Sequence, residues 1–228
     1  MLYWPVMNVI LNPMPPQVPA DALALLGQTD TVTIGHRRLR GFMDGGLRPV
    51  LPTARILGTA VTLQFPDRDS AVLHHAVGLL RPGDVLVIDR MHDTTFACLG
   101  GGVAFAAQHA GCLGAIIDGP ITDPDELIEA GFPVWARGVA AITTRPFGDM
   151  GFMNVLVSVG GVAVKPGDAI FADATGVLVL DPAEVVAVAT EALARSSGGS
   201  RARIEAGERL GDISGASARL QQTLAKQT

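Results

Sequence analysis

The amino-acid sequence predicts a mixed α/β fold. Strand-like and helix-like segments alternate between residues 55 and 136, which is typical of βαβ units and a largely parallel sheet. Short strands separated by GG, PGD and ATG turns then follow over residues 153–181, and this pattern predicts an antiparallel layer. Only 5% of residues are aromatic, so the core must consist of Val, Leu, Ile and Ala, as in strands covered by helices.

Three segments are predicted along the 228 residues. Residues 1–19 contain five prolines and predict an extended N-terminal arm. Residues 20–195 predict a single α/β domain. Residues 196–228 begin with a serine and glycine hinge at 196–200 and continue as a C-terminal helical tail that could pack on a neighbouring subunit.

Hydrophobic periodicity predicts the individual elements. In chain order they are helix Ala20–Leu26, strand Thr31–Ile34, strand Arg55–Phe65, helix Ser70–Leu80, strand Val85–Asp89, helix Val103–Ala110, strand Ala115–Asp118, helix Pro124–Ala130, strand Val134–Ala136 and helix Pro182–Arg195. The sequences RPGDVLVID at 81–89 and KPGDAIFAD at 165–173 each predict a type II turn that starts a strand, because proline and glycine occupy its central positions.

Composition excludes several classes of function. The net charge is −5 and no basic run is present, which argues against binding to nucleic acid. The uncharged run Thr94–Ile117 contains too many glycines for a membrane helix, and the prolines of the arm exclude a signal peptide. We therefore expect a cytoplasmic protein. A mean hydropathy of +0.36 predicts an apolar interface in a homo-oligomer.

The stretch from Arg81 to Gly138 holds the candidate site. Gly100, Gly101 and Gly102 precede a helix whose first turn has no acidic side chain, so backbone N–H groups can approach a carboxylate or phosphate. The alternative is that these glycines only let the helix pack closely on the sheet. The cysteines, Cys98 and Cys112, lack CxxC spacing and predict small buried side chains.

Asp118 and Asp123 flank the loop after a predicted buried strand, where α/β sheets place their ligands. A lone carboxylate there can hold Mg²⁺ together with several waters. The alternative for Asp123 is helix capping, because Asp123, Pro124 and Glu126 match a capping box. The same pattern recurs at Asp181, where no active site is expected.

The loop that contains Arg90, His92 and Asp93 offers a cation, an imidazole and a carboxylate close to the glycines. The alternative is a solvated loop. His74 and His75 fall inside a predicted helix, where a core or surface role is favoured over a catalytic one.

Taken together, GDVLVID, the glycines, AAxxxGxxGxxIDGxxxD, GFPVWARG and VxVGGVAVKPGDxxxADxxGVLVLD resemble the family of class II 4-hydroxy-4-methyl-2-oxoglutarate aldolases and regulators of ribonuclease E activity. The resemblance covers about residues 25–195. It implies an α/β/β/α sandwich of the swivelling-domain type with a mixed sheet or small central barrel. It also implies trimers or hexamers with sites at subunit interfaces, and lyase activity on 2-oxo acids with Mg²⁺ or Mn²⁺.

By that resemblance Asp123 is the metal ligand. Thr122 stands where the family has a substrate-binding arginine, and Gly101 where it has an acidic residue. We therefore predict a divergent metal-dependent aldolase or decarboxylase acting on a small 2-oxo or hydroxy acid. In it Arg90, with His92, supplies the missing positive charge, and Asp93 keeps the aspartate of the family's motif as a third catalytic candidate. The alternative is a non-catalytic regulatory or protein-binding member of the same fold.

Overall fold

The computed structural model describes residues 9–194 and 199–227. The start of the predicted arm, Arg195 and residues 196–198 of the predicted hinge lie outside the described residues, whereas residues 199 and 200 begin a helix. Contacts divide the chain into two units, one ending at Thr190 and one beginning at Glu191.

The described residues form eleven strands, which include those predicted at residues 55–65, 85–89, 115–118 and 134–136. They are β1 Val9–Leu11, β2 Arg48–Pro49, β3 Ile56–Gln64, β4 Asp84–Asp89, β5 Ala115–Ile121, β6 Val134–Val139, β7 Gly151–Met153, β8 Val157–Val159, β9 Val162–Val164, β10 Ala169–Ala172 and β11 Val177–Leu180. The helices are α1 Ala20–Leu26, α2 Thr31–Gly35, α3 Ala71–Val77, α4 Gly101–His109, α5 Pro124–Glu129, α6 Val185–Ala194, α7 Gly199–Glu205, α8 Leu210–Ile213 and α9 Ala216–Ala225.

The central sheet is mixed. Its order is β1-β7-β3-β4-β5-β6-β2, and the hairpin β10–β11 joins through antiparallel pairing of β10 with β3. The pairs β3–β4, β4–β5 and β5–β6 are parallel. Within the described residues the strands do not close into a barrel. The prediction of a mixed α/β fold is confirmed.

Side chains alternate between the two faces of this sheet because the period of a strand is two residues. In β4, Leu86 and Ile88 join a core cluster that also contains Leu73 of α3 and Leu127 of α5. Val85 and Val87 face the opposite way and join the cluster formed with β8–β11. Helices therefore cover one face of the parallel strands and a second β layer covers the other.

Both predicted type II turns are confirmed. Gly83 and Gly167 have φ of +92° and +91°, and the N–H of Asp84 and of Asp168 each donates to the carbonyl three residues earlier, at 3.0 and 3.1 Å. Each of these aspartates also accepts from the backbone N–H three residues earlier, at 2.8 Å. Both turns therefore start their strands by the same local hydrogen bonds.

The predicted strand Thr31–Ile34 is wrong, because this segment forms α2. Its β-branched residues favour a strand, but the Asp30 carboxylate accepts a hydrogen bond from the N–H of Thr33 at 2.6 Å and caps the helix. The Thr31 hydroxyl also donates to Asp173 at 2.7 Å. These capping and tertiary contacts outweigh a weak local propensity.

The unit from Glu191 onward contains α7, α8 and α9 in its described part, and these three helices bury no side chain. Throughout the described ranges, no helix combines the length and the apolar character needed to cross a bilayer.

Candidate functional site

The loops after β4 and β5 meet at the N-terminus of α4. Gly100 is the extended residue before that helix, and the N–H of Thr122 donates to the Leu99 carbonyl at 2.9 Å. A Cβ on Gly100 would overlap Oδ2 of Asp123 and lie 2.5 Å from the Thr122 methyl group. Glycine at position 100 therefore lets these two side chains approach the loop closely, and a larger residue would displace them.

Asp123 does not cap α5, although its sequence context matches a cap. Its backbone is left-handed, with φ +51° and ψ +49°, and its side chain makes no capping hydrogen bond. The carboxylate instead accepts from the N–H of Gly101 at 3.2 Å and from the Thr122 hydroxyl at 3.1 Å. By contrast, Asp181 does cap, accepting from the N–H of Ala183 at 3.1 Å.

The left-handed backbone of Asp123 costs roughly 1–2 kcal/mol for a residue with a side chain. Such strain is found where the surrounding structure holds a side chain in a required position. Here it turns the carboxylate of Asp123 toward the glycine loop and away from its own helix.

A second carboxylate covers the same loop. A Cβ on Gly101 would overlap Oε2 of Glu126 and lie 2.9 Å from its carboxyl carbon. Glu126 projects from the first turn of α5, three residues after Asp123. Its carboxylate therefore occupies the space that a side chain at position 101 would fill.

A cavity of about 200 Å³ opens beside these groups. Its lining combines small apolar side chains, hydroxyl groups, one imidazole and the Asp123 carboxylate. The lining residues are His74, Ala97, Cys98, Gly100, Gly102, Val103, Thr122, Asp123, Thr143 and Thr144. Burial raises the pKa of the Cys98 thiol to about 11, so this sulfur stays protonated and is no nucleophile at neutral pH.

Thr143 and Thr144 form one side of the cavity and belong to an exposed segment of the chain. The buried side chain of Asp69 anchors this segment. The N–H groups of residues 147–150 donate to the two carboxylate oxygens of Asp69 at 2.6–3.2 Å, and the N–H of Ala71 adds a bond of 2.9 Å. Burial alone would raise the pKa of Asp69, but the backbone hydrogen bonds outweigh it and lower the pKa.

Replacing Asp69 by asparagine should lower the free energy of unfolding at pH 7 by about 1.5–3 kcal/mol, because hydrogen bonds to a charged group are lost. Since the folded pKa lies below the unfolded one, the carboxylate stabilises the fold fully above the unfolded pKa. This stabilisation is lost as the pH falls through the folded pKa. Urea unfolding of both proteins over a pH series should show their difference shrinking in acid.

Asp149→Asn is the matched control for this series, because the Asp149 side chain is exposed on the same segment. Its unfolding free energy should follow that of the original protein at every pH. A difference between Asp69→Asn and the original protein that stays constant into acid would contradict the proposed role of the charge.

Arg90 is fully buried and is not among the residues that line the cavity. Its guanidinium donates to the carbonyls of Phe65 at 2.8 Å and Asp67 at 2.5 Å, and it forms an ion pair of 2.6 Å with Asp93. The guanidinium carbon also lies 4.5 Å from the centre of the Phe65 ring. Asp93 in turn accepts from the N–H of Thr95 at 2.7 Å, so this pair braces the loop after β4.

His92 lines a second cavity, of about 470 Å³, at the carboxyl ends of the parallel strands. Here Arg137 is held by Asp44 at 2.6 Å and by Asp118 at 2.6 Å. The hydrogen bond from Arg137 holds the pKa of Asp44 at about 2. Of the predicted site residues, the structure thus brings the glycines, Thr122 and Asp123 together, and places His92 in a different cavity.

The family model RraA-like (Aldolase/RraA) matches residues 26–179. The chain belongs to the RraA-like family. This membership agrees with the motifs between Arg81 and Gly138 and with the mixed sheet, and it covers the whole of the glycine loop and the Asp123 cavity.

Relatives of this RraA-like chain carry aldolase names. A protein of Halalkalibacterium halodurans named "Putative 4-hydroxy-4-methyl-2-oxoglutarate aldolase" is 35% identical over 134 residues, which are 59% of this chain and 63% of the relative. The chain thus spans just under two thirds of that relative. A protein of Burkholderia mallei with the same name is 34% identical over 140 residues. These residues are 60% of this chain and 81% of the relative.

Solved RraA structures share the fold. Streptomyces coelicolor RraAS2, described as an unusual member of the RNase ES inhibitor RraA family, superposes with a TM-score of 0.72 at 24% identity over 85% of this chain and 99% of its own. The RNA-processing inhibitor RraA of Thermus thermophilis superposes with a TM-score of 0.57 at 28% identity. The match covers 61% of this chain and 84% of that structure's chain.

Sequence reasoning missed several residues at the cavity. The capping-box pattern assigns Glu126 to a helix cap, and the helical position of His74 favours a core or surface role over a catalytic one. Thr143 and Thr144 carry no motif at all. The one available signal was the acidic residue three positions after Asp123, which fits a cap and a site equally well.

Proposed function

We propose that this RraA-like chain is a lyase that cleaves a carbon–carbon bond of a small 2-oxo or hydroxy acid at the Asp123 cavity, with pyruvate as a product. The observation that carries the proposal is the strained left-handed backbone of Asp123, which turns its carboxylate from the helix to the glycine loop. The aldolase names of the relatives support the same reaction class.

The donor groups fit a hard divalent ion such as Mg²⁺ or Mn²⁺. The carboxylates of Asp123 and Glu126 are both exposed and both lie against Gly100 and Gly101. Across the described ranges no cluster of three or more His, Cys, Asp and Glu could hold a metal by itself. Mg²⁺ commonly binds through one or two carboxylates and completes its coordination with waters and substrate. When bound, such an ion would polarise the 2-oxo group and stabilise an enolate.

The chain's own residues have separable tasks in this proposal. Asp123 holds the ion, and Glu126 supplies the acidic group that the family resemblance assigns to position 101. The amides of Gly100–Gly102 at the start of α4 orient the substrate carboxylate, since the first N–H groups of a helix favour anions. Thr122 donates to Asp123 and fixes its carboxylate.

The loop after β4 contributes indirectly. Arg90 and Asp93 hold one another and anchor the loop on Phe65 and Asp67, so we assign them positioning roles. His92 lines the neighbouring cavity at the carboxyl edge of the sheet.

We also propose a homo-oligomer. Phe105 on α4 and Ile128 on α5 are 69% and 50% exposed, although helices of a monomer seldom present large apolar side chains together. Both helices carry residues of the proposed site. A neighbouring subunit that covers this surface would lie next to the cavity.

The test is exchange of the pyruvate methyl protons with deuterated water, followed by proton NMR, with Mg²⁺ or Mn²⁺ and after removal of metal by EDTA. Exchange should require the metal, because enolate formation needs the charge that the ion provides. Binding of Mn²⁺, followed by its electron paramagnetic resonance signal, gives a readout independent of turnover. Glu126→Ala should weaken Mn²⁺ binding about tenfold or more.

Glu129→Ala is the matched control, because Glu129 is an exposed carboxylate on the same helix. It should bind Mn²⁺ as the original protein does. Equal weakening by both substitutions would show only a general charge effect and would count against a specific role for Glu126.

The non-catalytic alternative rests on a specific observation, namely that Thr122 replaces the arginine expected from the family. It predicts no proton exchange with any metal, together with binding of a protein partner. Metal-dependent exchange would exclude it as the sole function.

A further inference from the structure

A short basic segment, residues 36–40 with the sequence HRRLR, begins at the end of α2. Arg38 and Arg40 both bind the carboxylate of Glu184, each at 2.7 Å, so that one negative charge faces two positive charges. The side chain of Arg37 is exposed and forms no ion pair with any residue of the ranges 9–194 and 199–227. The basic segment therefore presents uncompensated positive charge at the surface.

The basic segment borders a cavity of about 510 Å³ with an apolar interior. Val32, Phe42 and Met43 line this cavity together with Leu39, whose side chain is 95% exposed. Removal of such apolar surface from water is favourable, so this region gains stability when another surface covers it. A surface that matches it would be apolar at its centre and acidic at its rim.

The outer faces of α4 and α5, which contact one another, have this complementary character. Phe105 of α4 and Ile128 of α5 are both exposed. Asp125 and Glu129 flank Ile128 on α5, and their carboxylates are exposed as well. The sequence contains no lysine or arginine between residues 101 and 136. We call this region the acidic surface, because its apolar side chains are bordered by negative charge alone.

The basic segment and the acidic surface lie on opposite faces of the central sheet. Phe42 bridges to Leu178 of β11, and Met43 joins the core cluster under the second β layer. By contrast, Ala104 of α4 and Leu127 of α5 belong to the cluster under the helices. One chain therefore cannot bring its own two surfaces together. A contact between them joins two copies head to tail, and repeated contacts of this kind form a ring when the rotation closes.

We infer that the basic segment of one copy docks on the acidic surface of the next, with Leu39 packed against Phe105 and Ile128. This inference rests on the proposed homo-oligomer and makes it a closed ring of identical head-to-tail contacts. The opposite charges at the two rims would steer the copies together and fix their orientation. Because Asp123 and Glu126 lie at the start of α5, the docked segment would bring its arginines to the edge of the Asp123 cavity.

The experiment compares the original chain with Leu39→Asp and Phe105→Asp by analytical ultracentrifugation at low and high salt. Each substitution changes only one of the two surfaces, yet both should weaken self-association by about tenfold or more. An equimolar mixture of the two variants should form a heterodimer. The reason is that Leu39→Asp keeps its acidic surface and Phe105→Asp keeps its basic segment. Association of the original chain should weaken as the salt concentration rises.

Leu224→Asp is the matched control, because Leu224 is an exposed apolar residue of α9, outside both surfaces. It should assemble as the original chain does. Arg37→Glu and Ile128→Asp repeat the test with Leu39 and Phe105 unchanged, and each should also weaken self-association. Thermal melting of every variant shows whether it is folded.

The possible outcomes separate this inference from the proposals on which it builds. If Leu39→Asp and Arg37→Glu assemble as the original chain does, or the mixture forms no heterodimer, the head-to-tail contact is wrong and the homo-oligomer stands. Loss of assembly in Leu224→Asp alone would assign the interface to the C-terminal helices and overturn the inference. A monomeric original chain would overturn the inference together with the homo-oligomer, whereas pyruvate proton exchange decides the lyase proposal separately.

Discussion

Asp123→Gly should abolish metal-dependent proton exchange in pyruvate without loosening the fold. Glycine adopts the left-handed backbone of position 123 without the penalty of roughly 1–2 kcal/mol that other residues bear, so removal of the side chain relieves strain. The bonds from Gly101 and Thr122 are lost but leave groups that water can reach. Proton NMR of pyruvate and thermal melting of the same samples measure the two effects.

Asp181→Gly is the matched control for this experiment. Asp181 precedes Pro182 as Asp123 precedes Pro124, but its carboxylate caps the short 3-10 helix Pro182–Glu184. We expect a lower melting temperature and unchanged exchange, the reverse of the pattern at position 123. Exchange that survives in Asp123→Gly would remove the main support for the proposed site.

Replacement of Arg90 by alanine should produce the largest loss of stability, about 3–5 kcal/mol. The substitution removes the counter-ion of the Asp93 carboxylate and the side-chain donor to the carbonyls of Phe65 and Asp67 in a largely buried environment. It also removes the stacking of the guanidinium on Phe65. Urea unfolding at neutral pH measures the change.

Arg137→Ala provides the comparison, because Arg137 also contacts two carboxylates but its side chain is 30% exposed, against 0% for Arg90. Its loss of stability should be clearly smaller. An Arg90→Ala protein that is as stable as the original but no longer exchanges the pyruvate protons would contradict the bracing role. Arg90 would then act on the substrate, as the sequence predicts.

The hydrophobic pattern was sufficient to predict most of the fold. Strand β4 and helix α5 differ from their predicted bounds by one residue each, and the turns at Gly83 and Gly167 have the expected backbone. These features depend on residues within a few positions of one another. The segment at Thr31 was predicted wrongly because its structure depends on a cap and on distant Asp173.

The candidate site was only partly predictable. Gly100 and Asp123 could be proposed as site residues because they lie in the loops that follow two strands ending at the same edge of the sheet. Their mutual fit could not be foreseen, since it depends on the left-handed backbone of Asp123 and on the close approach to Gly100. His74 and Thr144 lie far apart in the chain and reach the same cavity only through tertiary contacts.

The sequence by itself determined the class of fold, the order of most elements and the presence of a glycine loop beside an aspartate. Each of these follows from local periodicity and turn chemistry. Only the tertiary structure decided that Asp123 faces the loop instead of capping α5, that Glu126 covers Gly101, and that Arg90 braces Asp93. The physical reason is that strand register and helix packing place side chains from distant parts of the chain side by side. A local sequence pattern does not encode which of these side chains meet.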